Sequence, residues 1–256
     1  MGPGVTPSRV TRLGKYLQPR KYIARLQALL SKPITDYEAD TLTELVYQKT
    51  VAFNRTTALD LGMGSERLLL AVGIALAEGE RGEPCRVLDF GGACGVHHTL
   101  AALMFPDAAF RWAVVETPPM VRKARSLETE TLKFFESIKA AAAWLASVDL
   151  VNSNSALQYV DDPLAIIHEL LALAPKVLLW ERMMLSSGAT HVDQQRSLLF
   201  DHGPGAVPAG FRNRVVLNKI TRLSRDEFLR VHEAGYRLRC QAERRTYLFS
   251  RRNLGQ

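Results

Sequence analysis

Between residues 86 and 181, short runs of consecutive apolar residues alternate with stretches in which apolar positions recur every third or fourth residue. The first pattern predicts buried strands and the second amphipathic helices. Strands are predicted at 86–90, 110–115, 132–135, 148–152 and 176–180. Helices are predicted between them at 96–104, from Pro118-Pro119 onward, at 138–146 and at 163–173. Repeated strand-helix alternation implies an α/β protein with a parallel, doubly wound sheet. Upstream, helical spacing appears at 22–30, 36–50 and 65–77; in the second of these Leu42, Leu45, Val46 and Lys49 share one face. Downstream, residues 182–223 contain Gly188, Gly203, Pro204, Gly205, Pro208 and Gly210 and read as an irregular insert. Ser224 and Glu227 have the spacing of a capping box and predict a helix start. Residues 236–241 and 246–251 predict a terminal antiparallel hairpin. The expected organisation is a loose basic leader at 1–19, a helical region at 20–82, and an α/β domain at 83–256 carrying the insert.

The turn after the first predicted strand is the most informative stretch. Asp89-Phe90-Gly91-Gly92-Ala93-Cys94-Gly95 joins an apolar strand directly to a helix. Strand-to-helix turns at the carboxyl edge of a parallel sheet are where such folds bind ligands. A phosphate-binding loop would follow its glycines with Lys and Ser or Thr, but His97 and His98 stand there. Gly91, Gly92 and Gly95 give G-G-x-x-G, which is not the dinucleotide fingerprint G-x-G-x-x-G. The spacing fits an S-adenosylmethionine loop, Asp-x-Gly-x-Gly-x-Gly, with Ala93 at the middle glycine. Glu116 ends the next strand, where a carboxylate can accept both ribose hydroxyls of an adenosine. That feature alone does not separate a methyl donor from NAD. Asn152, Ser153 and Asn154 form a small polar cluster at the end of the fourth predicted strand.

Composition narrows the classes. Hydrophobic residues are 47% and charged residues 23% of 256, the balance of a globular chain. No apolar run reaches the ~18–20 residues of a membrane span, and no secretory core segment opens the chain. The three cysteines, Cys85, Cys94 and Cys240, have no metal-ligand spacing and no disulfide framework. A cytoplasmic protein without a metal site is the expectation. The net charge of +7 is uneven: residues 1–35 carry +7, residues 36–206 carry −8 and residues 207–256 carry +8. A basic tail suits an anionic partner, but no aromatic interleaving for stacking on bases accompanies it.

The segments Asp89-x-Gly-x-Ala-x-Gly, Glu116, and Asp149-Leu-Val-Asn-Ser-Asn-Ser-Ala-Leu-Gln-Tyr159 resemble the class I S-adenosylmethionine-dependent methyltransferases. Trp112-Ala-Val-Val-Glu116-Thr-Pro-Pro-Met-Val121 and Ser155-Ala-Leu-Gln-Tyr159-Val-Asp-Asp-Pro163 further resemble a bacterial family of mostly uncharacterised methyltransferases. The likeness covers residues 86–181, and by pattern the last thirty. It implies a Rossmann-like, doubly wound, seven-stranded sheet with the terminal hairpin as its last strands. It also implies S-adenosylmethionine as cofactor and a small-molecule or sugar-like acceptor methylated at oxygen. Gly91, Gly92, Ala93 and Gly95 would let the backbone approach the donor. Asp89 would order the loop or hold the donor's ammonium, Glu116 would hold the ribose, and Glu136 or a neighbouring backbone N–H would sit near the adenine. Asn152, Ser153 and Asn154 would line the floor below the methyl. An acceptor that must lose a proton needs a base; His202 and His191, both in the insert, are the candidates. Rival readings are an NAD-binding oxidoreductase, a nucleic-acid methyltransferase and a non-catalytic protein of the same fold. The loop spacing disfavours the first. The second lacks the Asp/Asn-Pro-Pro-aromatic motif after the fourth strand, where Asn152-Ser-Asn-Ser155 stands. No membrane partner is expected; the oligomeric state is open.

Overall fold

The computed structural model describes residues 28, 31–35, 39–55, 65–77, 83–243 and 245–252. The expected leader at 1–19 and nearly all of the first predicted helix lie outside the described residues. Helices α1 (Asp40–Phe53) and α2 (Ser65–Ala77) precede the sheet. The chain then runs β1 (Cys85–Phe90), α3 (Val96–Met104), β2 (Phe110–Val115), α4 (Pro118–Ala124), β3 (Leu132–Phe135), α5 (Ile138–Leu145), β4 (Leu150–Asn154), α6 (Pro163–Ala172) and β5 (Val177–Glu181). Next come β6 (His191–Leu198), β7 (Val215–Arg222), α7 (Arg225–Glu233), β8 (Tyr236–Ala242) and β9 (Thr246–Arg251). Seven strands form one sheet in the order β3-β2-β1-β4-β5-β9-β8, parallel except for β9, which is antiparallel to both neighbours. This is the expected Rossmann-like, doubly wound α/β architecture with its terminal hairpin.

Strands buried on both faces must be apolar at successive positions, and these are. Val87, Leu150, Val177 and Leu179 face one layer with α2, α3 and α4. Leu88, Val151, Leu178 and Trp180 face the other with α5, α6 and α7. Prolines open α4 and α6, where a missing N–H costs nothing. The Ser137 and Asp162 side chains cap α5 and α6, accepting from Ala140 N and Ala165 N. The capping box expected at Ser224 does not close. Thr190 Oγ1 takes both its partners, accepting from Ser224 N at 2.8 Å and donating to Glu227 Oε2 at 2.6 Å.

Two expectations need correction. The fourth strand ends at Asn154, two residues beyond the predicted end. The Asp149 carboxylate before it is tied by Arg86 N–H and Lys176, so regular pairing begins only at Leu150. The insert is also not irregular: β6 and β7 form an antiparallel ribbon, a separate two-stranded sheet. It was hidden because β6 reads His-Val-Asp-Gln-Gln-Arg-Ser-Leu, mostly exposed, without the apolar alternation that betrays a strand. The ribbon stands on α1 through its own small core of Ile34, Leu42, Leu45, Leu199 and Val216. Ile34 bridges to β7, with Ile34 N donating to Val215 O and Leu217 N to Ile34 O. Among the described residues no helix is long and apolar enough to cross a membrane.

Candidate functional site

A cavity of about 950 Å³ opens at the carboxyl edge of the parallel strands, between the glycine turn and the ribbon. Its first wall is the turn after β1. Gly91, Ala93 and Gly95 have φ of 72°, 50° and 82°. For Gly91 this geometry is reinforced by packing: a Cβ there would lie 2.0 Å from the Ala156 Cβ. At Gly92 a Cβ would lie 2.3 Å from Asp89 Oδ2. The turn is thus shaped by contacts within the protein. Ala93 adopts the left-handed region at a cost of roughly 1–2 kcal/mol for an L residue.

Asp89 sits beneath this turn, fully buried. Its carboxylate accepts from Asn152 Nδ2 at 2.8 Å, Trp112 Nε1 at 3.2 Å and His97 Nδ1 at 2.9 Å. A carboxylate can only accept, so Nδ1 of His97 carries the proton. Burial opposes charge on this imidazole, but Asp89, aided by the Glu181 charge, raises the His97 pKa on balance. When His97 is protonated, its pairing with Asp89 offsets the unfavourable placement of a cation in the first turn of α3. Glu116, 8% exposed, completes the wall. Its Oε1 accepts from Ala93 N at 3.1 Å and its Oε2 from Thr117 N at 2.8 Å. Both oxygens are thus held in place, one by the turn and the other by the head of α4. Cys94 is no nucleophile: burial first, then the Glu116 and Glu44 charges, push its thiol up to about 12.

The opposite wall is polar and comes from the ribbon and the loop that joins its two strands. Gln195 and Asn218 are direct cross-strand partners, and Ser197 lies two residues along the same face. Gln195 Oε1 accepts from the Tyr159 hydroxyl at 2.5 Å, joining the ribbon to the loop after β4. His202 Nε2 is 2.9 Å from Ser197 Oγ. Burial is the chief cause that pushes the His202 pKa down, aided by the Lys49 and Arg182 charges against Asp201. Neutral imidazole therefore prevails near pH 7. Lys49 of α1 is 2% exposed and donates to the carbonyls of His202 at 2.7 Å and Phe200 at 3.1 Å. It pins the loop that carries the histidine.

The sequence-selected residues divide between these walls. Gly91, Gly92, Ala93, Glu116, Glu136, Asn154 and His202 line the cavity. Gly95 lies at the start of α3, where a Cβ would press on Leu132 at 3.1 Å. Asp89, Asn152 and Ser153 are buried behind the wall and do not line it; because β4 runs on to Asn154, the strand end is Asn154-Ser155. His191 is exposed at the start of β6, its Nδ1 near Ala189 O, and does not line the cavity. Sequence reasoning did not single out Lys49, Arg182, Gln195, Ser197, Asn218 or Arg245 as site residues. Two signals were present: Lys49 on an apolar helix face, and Asn218 interrupting the alternation Val216, Asn218, Ile220.

No protein-family model matches the sequence, and no curated protein matches it. Among solved structures, it is similar to the SAM-bound amino pentose methyltransferase CalS10 from Micromonospora echinaspora. The identity is 18%, over 79% of this chain and 95% of that one, with a TM-score of 0.48. Streptomyces venezuelae DesVI is similar at 16% identity, over 81% and 97% of the two chains, with a TM-score of 0.48. An O-methyltransferase family protein from Burkholderia thailandensis is similar at 18% identity, over 94% and 71%, with a TM-score of 0.44.

Proposed function

We propose that this protein transfers a methyl group from S-adenosylmethionine to a small-molecule acceptor, at oxygen. One observation carries the reading: a single cavity joins the glycine turn and the Glu116 carboxylate to a polar wall bearing a neutral histidine. The residues present fit the donor. Glu116 lines the cavity, is fixed by two backbone N–H groups, and is the carboxylate that would accept from the ribose hydroxyls. Asn154 Oδ1 is buried with no hydrogen-bond partner among the described residues, an acceptor suited to the donor's ammonium. The turn leaves backbone, not side chains, along that wall. Asp89, Asn152 and Ser153 act from behind, Asp89 by holding the turn in shape.

The donor supplies a methyl carbon already activated on a sulfonium. What the chain supplies is alignment, worth up to ~7–11 kcal/mol in well-oriented systems. The ribbon places the acceptor oxygen, and Ser197 Oγ relays its proton to Nε2 of His202. Lys49 holds that histidine in place through the two carbonyls it binds.

Calorimetric titration with S-adenosylmethionine and S-adenosylhomocysteine, with NAD as control, tests the reading. Micromolar binding of the first two without NAD binding is expected, and Glu116→Ala should weaken it roughly 100-fold, two charge-assisted hydrogen bonds being worth about 3 kcal/mol or more. NAD binding alone, or unchanged donor affinity in a folded Glu116→Ala protein, would refute it.

A further inference from the structure

The two walls of the cavity differ in charge as well as in shape. The donor wall carries Glu116 and Glu136. The other side carries Arg182, Lys219 and Arg245. Lys219 is neutralised by Asp161 at 2.9 Å. Arg182 and Arg245 make no ion pair and no side-chain hydrogen bond among the described residues. They are brought together by backbone: Met183 N donates to Arg245 O at 2.8 Å, stapling the end of β5 to the turn between β8 and β9. Arg182 also holds φ at +51°, a region non-glycine residues rarely occupy. The positive charge of Arg182 is felt at His97, Tyr159 and His202, which places it among the cavity groups.

Asn218 adds an independent signal. It is 4% exposed, lines the cavity, and stands between the buried Val216 and Ile220 on the inner face of β7. Its Nδ2 has no hydrogen-bond partner among the described residues. A buried amide donor left unmatched costs stability, and an apolar residue would continue the row. The position makes physical sense if a ligand oxygen accepts from it.

We propose that the acceptor is a hydroxylated anion, its carboxylate or phosphate lying against Arg182 and Arg245 and its hydroxyl-bearing part against Asn218 and the Ser197–His202 pair. That the anion is the methyl acceptor rests on the methyl-transfer reading; the anion subsite itself does not. Guanidinium pairs match carboxylate and phosphate alike through bidentate hydrogen bonds. A small anion fits better than a polyanion, because Asp161 pairs with Lys219 and Asp201 lines the same cavity.

The test uses the full chain with inorganic phosphate and, separately, acetate, each against sodium chloride at matched ionic strength. Calorimetry and thermal melting read the result. One of the two anions should bind saturably and raise the melting temperature. Phosphate alone would mark a phosphorylated acceptor, and acetate alone a carboxylate. The Arg182→Gln/Arg245→Gln variant should weaken that binding at least about tenfold while leaving S-adenosylhomocysteine affinity unchanged. If neither anion exceeds chloride, or the double variant binds as the parent does, the subsite does not exist. Anion binding without S-adenosylhomocysteine binding would retain the subsite and sink the methyl-transfer reading instead. Glycerol 3-phosphate and glycolate, the hydroxylated counterparts, should bind tighter than the bare anion that binds. In Asn218→Leu that advantage should vanish while the melting temperature holds or rises. An advantage that is absent in the parent, or that persists in Asn218→Leu, would overturn the role given to Asn218.

Discussion

His232 lies in the aromatic core behind β5, 1% exposed and stacked on Phe249 with ring centroids 4.3 Å apart. Its Nδ1–H donates to Phe228 O at 2.7 Å and its Nε2 accepts from Trp180 Nε1–H at 2.9 Å. Both ring nitrogens are thus committed to the neutral form. Protonation would set Nε2–H against the Trp180 N–H and place a charge among rings. Burial is the main cause that pushes the His232 pKa down to about 4; the nearby His168 works in the same direction, and the Phe228 carbonyl opposes both. In the unfolded chain the group titrates near 6.5, so the unfolded state binds more protons between these values. Stability therefore falls as pH drops from about 6.5 to about 4, by about 3 kcal/mol in all at 1.36 kcal/mol per unit. Replacement by Gln leaves an acceptor for Trp180 without a titrating ring. Urea unfolding of the parent and of His232→Gln from pH 8 to pH 4.5 isolates the contribution. The parent should lose stability faster than the variant below pH 6.5. Parallel curves would refute the argument.

Other expectations follow from the same geometry. Gly91→Ala should cost about 3 kcal/mol, combining the left-handed φ with the Ala156 clash. Adding Ala156→Gly should recover at least about 1 kcal/mol, a coupling that equilibrium unfolding of the two single variants and the double reads directly. The His97–Asp89 pair has the opposite pH sense from His232. Its raised pKa means the pair stabilises fully below pH 6.5 and is lost as pH rises through the folded value, so the parent's advantage over His97→Gln should be larger at pH 6 than at pH 9. Lys49→Met should cost about 1–3 kcal/mol by orphaning the Phe200 and His202 carbonyls. In that variant turnover should drop with donor affinity unchanged; an unaltered rate would remove Lys49 from the positioning of His202.

The parallel sheet was legible because its strands are buried on both faces and read as apolar runs. Strand β2, helix α3 and strand β3 lie where the pattern placed them. The donor wall was legible for a related reason: a turn that needs glycine, followed by a strand-end Glu, leaves its mark at fixed spacing. The acceptor wall left no such mark. β6 is a two-stranded edge open to solvent, so its side chains carry no periodic burial signal. The role of Lys49 depends on where residues 200–202 fold back onto α1, a contact between groups some 150 positions apart that no local pattern encodes. Asn152 and Asn154 differ by two residues, yet one is sealed against Asp89 and the other faces the cavity, because the strand runs further than its apolar part.

The ribbon's separate footing has a consequence for how such a protein changes over time. Its core of five residues rests on α1 and shares no member with the two layers that clamp the main sheet. The glycine turn, meanwhile, takes its shape from Asp89 and Ala156 within the sheet half. Substitutions that remodel Ser197 or Asn218 therefore leave Asp89 and Ala156 untouched, whereas Gln195 is tied through Tyr159 to the loop that carries Ala156. Selection, or a protein engineer, is free to regraft one half of the cavity onto new chemistry while the other half stays fixed.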